Sequence, residues 1–77
     1  MKFKVYETVE ATINEWGRQL PIATSNQVKF HKSQTPRNTL NNWAVSLNSL
    51  TKDGKFITYE DDGQTLNEWS KLLNKIF

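Results

Sequence analysis

The stretch V-K-F-H-K, residues 28–32, gathers the groups in this chain best suited to meet an anion. Lys29 and Lys32 carry positive charge, and His31, the single histidine, lies between them. Acid–base catalysis at His31 would need a second titratable group poised against it, and a metal site would need ligands at recognisable spacing. Neither pattern surrounds it. The chain has no cysteine, which excludes disulfides, thiol nucleophiles and cysteine-ligated zinc or iron–sulfur centres. There is no glycine-rich phosphate loop and no nucleophile motif. Glu60-Asp61-Asp62-Gly63 lacks the alternating oxygen ligands and the closing glutamate of a calcium loop, so Asp62-Gly63 reads as a turn ahead of a helix. These residues describe a non-enzymatic binding protein that uses no cofactor and no metal.

The charges are unevenly placed. The net charge of the 77 residues is +2. Residues 1–20 balance, whereas residues 21–55 set Lys29, Lys32, Arg37, Lys52 and Lys55 against Asp53 for a local +4. Residues 56–77 set Glu60, Asp61, Asp62 and Glu68 against Lys71 and Lys75 for −2. Such asymmetry suits an anionic partner.

The Lys29-Phe30 pair is one of a set. Lys2-Phe3 precedes it by 27 residues and Lys55-Phe56 follows it by 26. The same offsets separate Thr12, Thr39 and Thr65; Asn14, Asn41 and Asn67; Trp16, Trp43 and Trp69; and Leu20, Leu47 and Leu73. The unit K-F-x8-T-x-N-x-W-x3-L is therefore written three times, with approximate repeats 1–25, 26–52 and 53–77. At this length the repeats share one core and form one domain.

Each unit reads as a strand followed by a helix. KFKVYE, KFHKS and KFITYE supply the extended halves, rich in aromatic and β-branched residues in the outer copies. T-x-N-x-W reads as a helix start. Thr12-x-x-Glu15 and Thr65-x-x-Glu68 fit capping boxes, while Thr39 has Asn42 in place of the acid. Apolar stripes follow at helical spacing, Leu40-Trp43-Ala44-Leu47-Leu50 and Leu66-Trp69-Leu72-Leu73-Ile76. In the first copy Gly17 weakens the helix and Pro21 limits it. The tryptophans belong to the core, and the three asparagines either help satisfy the open helix end or present one polar site three times. The expected fold is α+β: a three-stranded sheet, paired in parallel by like crossovers, with the helices on one face.

In such a sheet, alternate side chains point to opposite faces. With Phe3, Phe30 and Phe56 turned inward, the outward set is Lys2, Lys4 and Tyr6; Lys29 and His31; Lys55, Ile57 and Tyr59. Lysines following phosphates and aromatic rings stacking on unpaired bases are what a single-stranded nucleic acid requires.

Residues 57–74, ITYEDDGQTLNEWSKLLN, and residues 12–32, TINEWGRQLPIATSNQVKFHK, open their helices with T-L-x-E-W or a close variant. This resembles helix-turn-helix modules of phage and mobile-element DNA-binding proteins. The resemblance implies a turn at Leu20-Pro21-Ile22 and a recognition helix from Ser25 to Lys32, bearing Lys29, His31 and Lys32, that enters the major groove. The repeat instead makes Lys29-Phe30 extended, so residues 25–32 have two readings. Both readings place Lys29, His31, Lys32 and Arg37 near the contact.

The expected function is nucleic-acid binding, with DNA favoured, as a phage or mobile-element accessory. The rival is a small protein-binding inhibitor or adaptor, such as a phage-encoded blocker of a host defence complex; modest net charge and the acidic Glu60–Asp62 stretch favour it. No apolar run reaches the ~20 residues that cross a bilayer, and the first residues lack the apolar core of a secretory signal. A soluble, cytoplasmic protein without a membrane partner is expected, and exposed sheet edges leave room for an oligomer.

Overall fold

Each helix begins about one turn before the threonine of the T-x-N-x-W signature. A computed structural model describes residues 2–77 and comprises α1 (Val9–Ala23), α2 (Pro36–Thr51) and α3 (Asp62–Ile76). The caps are Thr8, Thr35 and Asp61, whose side-chain oxygens accept from the backbone N–H groups of Ala11, Asn38 and Gly63. Thr12, Thr39 and Thr65 lie inside the helices and are buried. Their hydroxyls donate to the carbonyls of the capping residues and accept from the backbone N–H groups of Tyr6, Ser33 and Tyr59. The capping-box reading is thereby corrected: Glu15 and Glu68 form surface ion pairs with Arg18 and Lys71 instead. Pro21 does not end α1, which continues to Ala23; at the last turn its missing N–H costs one hydrogen bond.

The α+β expectation is also corrected. The described residues contain no strand, and the fold is all-α with three helices. The segments 2–6, 29–33 and 54–59 lie outside the helices and do not pair with one another. Helix side chains take their backbone groups instead. The Asn74 carboxamide accepts from the Phe3 N–H at 2.6 Å and donates to the Phe3 carbonyl at 3.0 Å. Asn48 treats Phe56 in the same way, at 2.9 Å for both bonds. The indole N–H groups of Trp16, Trp43 and Trp69 donate to the carbonyls of Lys4, His31 and Ile57. A buried backbone needs partners, and a strand-like sequence leaves open whether a neighbouring strand or a side chain supplies them.

These bonds place each segment in a groove between its own helix and the helix before it. Segment 2–6 bonds to α1 and to α3, and segment 54–59 bonds to α3 and to α2. In the remaining groove segment 29–33 bonds to α2 and, through Lys32, to Asn14 of α1. Asn74 to Phe3 joins the last repeat to the first, so the repeats close into a pseudo-threefold ring. The molecule is accordingly nearly isotropic, with extents of 26 × 23 × 21 Å.

The ring is closed on one core. Trp16, Trp43 and Trp69 are at most 2% exposed, and each stands edge-on to the phenylalanine of its own repeat. The centroids of Phe3–Trp16, Phe30–Trp43 and Phe56–Trp69 are 5.8, 5.9 and 5.5 Å apart, with the planes within a few degrees of perpendicular. T-shaped pairs of this kind add roughly 0.5–1.5 kcal/mol each beyond their area burial. Leu20, Leu40, Leu47, Leu66 and Leu73 complete the interior at 0% exposure.

Candidate nucleic-acid interface

Chain direction decides where the charges go. The ends of α1, α2 and α3 meet, because Ala23, Leu50 and Ile76, equivalent residues of the repeats, line one cavity. Their starts are neighbours too: Glu10 and Ile13 of α1 share a pocket with Thr35 and Pro36, and Gly63 and Leu66 of α3 share one with Thr8 and Val9. The helices therefore run parallel, and each non-helical segment returns the chain from the C-terminal end of the ring to its N-terminal end. Phe3 and Phe56 are clamped by asparagines in the last turns of α3 and α2, whereas Tyr6 and Tyr59 meet threonines near the helix starts.

Lys2, Lys29 and Lys55 each precede the phenylalanine at the C-terminal end, and all are exposed. Lys52, the C-cap of α2, and Lys75, in the last turn of α3, lie at the same end. Asp53 stands among them. Positive side chains here also oppose the negative ends of the helix dipoles, a contribution of about 0.3–1 kcal/mol apiece. The N-terminal end is the reverse. Glu7, Glu10, Glu60, Asp61 and Asp62 gather there, and Arg37 is held by the Asp62 carboxylate at 3.0 Å and by the Glu60 carbonyl.

The expected binding residues thus separate. Lys2, Lys29 and Lys55 come together at the basic end. Lys4 lies along its groove with its Nζ 5.6 Å from the centre of the Tyr6 ring, a contact that occupies this ring with the protein's own cation. Tyr6 and Tyr59 are half-buried toward the acidic end, away from those lysines. His31 is exposed in mid-groove, its carbonyl taking the Trp43 indole N–H. Lys32 donates to Asn14 at 3.0 Å. The single basic and aromatic sheet face is therefore corrected: its residues lie in separate grooves around the ring. The recognition helix is corrected as well, because residues 24–28 form turns and bends after α1 and residues 29–33 lie outside the helices. Leu20-Pro21-Ile22 lies inside α1.

Lys52 and Lys75 entered the sequence reading only in the charge balance and not as binding residues, because neither belongs to the repeated K-F pair; their place at the ends of apolar-striped helices was the available signal. The repeated Asn14, Asn41 and Asn67 are all exposed, beyond the first turn and outside the cap. Asn14 accepts from Lys32, and Asn67 lines the pocket against residues 5–9.

At the centre of the basic end is a cavity of about 400 Å³. Besides Ala23, Leu50 and Ile76 it is lined by Thr24, Thr51 and Phe77, again equivalent positions of the repeats, which places it on the pseudo-threefold axis. Among the described residues no cluster of His, Cys, Asp and Glu could hold a metal ion, and no helix is long and apolar enough to cross a membrane. Comparison with protein-family models, curated proteins and solved structures finds no match to this chain.

Proposed function

We propose that this protein is a non-enzymatic module that binds nucleic acid, DNA in the first instance, by its phosphates at the basic end of the ring. The observation that carries this reading is the gathering of Lys2, Lys29, Lys52, Lys55 and Lys75 at the C-terminal ends of the helices, with Asp53 as the opposing carboxylate. A modest net charge of +2 understates this local field, because most of the compensating carboxylates lie at the far end. Lysines of this kind act as mobile point charges and follow a phosphate backbone without reading its sequence.

Fluorescence anisotropy of labelled single- and double-stranded DNA, across low to physiological salt, tests the proposal. Contact with several phosphates gives micromolar or tighter binding at low salt, with log affinity falling against log salt at a slope of roughly −3 to −4. Absence of binding at low salt overturns it. The acidic end, which carries Glu7, Glu10, Glu60, Asp61 and Asp62 around the helix starts, favours a second reading, a protein-binding adaptor that meets a basic partner surface.

A further inference from the structure

We propose that the axial cavity takes one unpaired nucleobase, guanine by preference, while the phosphates on either side rest on the surrounding lysines. This deepens the nucleic-acid reading above and rests on it. The pocket is open to solvent, and its volume of about 400 Å³ leaves room for one base. Its walls suit a flat aromatic guest. Leu50, Ile76 and Ala23 supply apolar surface, and Phe77, half-buried and tilted against Phe3 with centroids 6.4 Å apart, supplies a ring. Base–aromatic contact of this type is how single strands are held with little regard to sequence.

The lysines are tied to this mouth by the chain itself. Lys52 lies between the lining residues Thr51 and Asp53, Lys75 precedes Ile76, and Lys29 and Lys55 follow Gln27 and Asp53 by two residues. Lys2 adjoins Phe3, which packs on Phe77. Phosphate is drawn to this rim but kept out of the cavity by the Asp53 carboxylate, which takes part in none of the ion pairs among the described residues. What the carboxylate admits is a neutral group with hydrogen-bond donors. Guanine offers two adjacent donors, its ring N–H and its amino group, to the two oxygens of a carboxylate. Thymine offers one N–H flanked by two carbonyls, which the carboxylate repels. A fully paired duplex buries these edges in its own pairing, so the cavity discriminates for unpaired strand.

The test compares three labelled probes on the intact protein: oligo-dT, oligo-dT carrying one central dG, and a duplex of equal length. The expected order is dG-bearing strand, then oligo-dT, then duplex, with about tenfold or more between the first and last. Asp53→Asn, at an exposed linker position, is expected to erase the preference for dG, so that the dG-bearing strand binds no better than oligo-dT. Equal, salt-sensitive binding of all three probes overturns the cavity proposal and leaves the phosphate reading standing. A dG preference that survives Asp53→Asn overturns the role of Asp53. No binding of any probe overturns both readings.

Discussion

At the scale of single residues, the repeated letters are the fold's own fastenings. Trp43 fills the core and its N–H satisfies the His31 carbonyl, so Trp43→Ala is expected to cost about 3–5 kcal/mol, read as a lower urea midpoint. Thr39 joins the end of one segment to the start of its helix, and Thr39→Val strands the Ser33 N–H; a loss of about 1–3 kcal/mol is expected by the same measurement. The sequence marked both positions as special and the tryptophan as core. It misassigned the repeated threonine because in the outer copies, Thr12 and Thr65, a hydroxyl three residues ahead of a carboxylate has the spelling of a capping box, whichever partner it finds in space. The clamp residues carried a weaker signal. Asn48 and Asn74 recur at one position of the repeat, but Pro21 replaces them in the first copy. A proline side chain can neither donate nor accept, and Phe30 is 9% exposed where Phe3 and Phe56 are 1%. Pro21→Asn is therefore expected to complete the third clamp and raise the melting temperature. Two recovered hydrogen bonds, at about 0.5–1.5 kcal/mol each, outweigh the about 0.4–1 kcal/mol that proline gives by restricting the unfolded chain.

Among the elements, the helices were legible, and the expected sheet is absent from the described residues. Apolar spacing identified all three helices because a buried stripe repeats every 3.6 residues whatever it packs against. Alternation in KFKVYE and KFITYE correctly turned Phe3 and Phe56 inward, yet it records only which side chain is buried. The destination of the backbone hydrogen bonds is a long-range fact, settled here by Asn74 reaching Phe3 across 71 residues of sequence. The same packing bears on Gly17 of α1. A methyl group there meets the Trp43 ring at 3.7 Å, an ordinary contact, and the equivalent positions hold Ala44 and Ser70. Gly17→Ala is expected to stabilise by roughly 0.5–1 kcal/mol through helix propensity, measured by chemical denaturation.

For the whole molecule, the consequence of three like units closed in a ring is that the helices run parallel. Equivalent residues then lie at equal height along the axis, and lysines 26 or 27 residues apart in sequence share one end. The sequence showed the triplication and the charge asymmetry; it could not show that the repeated lysines are joined by Lys52 and Lys75 while the tyrosines lie toward the opposite end. The most direct measurement is DNA affinity, by anisotropy at low salt, for two triple variants with the same change in charge. Lys2, Lys29 and Lys55 to Ala removes cations from the basic end, and Lys4, Lys32 and Lys71 to Ala removes them from the sides. Binding through the basic end predicts an affinity about tenfold or more weaker for the first variant, its salt slope shallower by about one for each phosphate left without its lysine, and a much smaller change for the second. Equal weakening in the two variants, or unchanged affinity in the first, would contradict it.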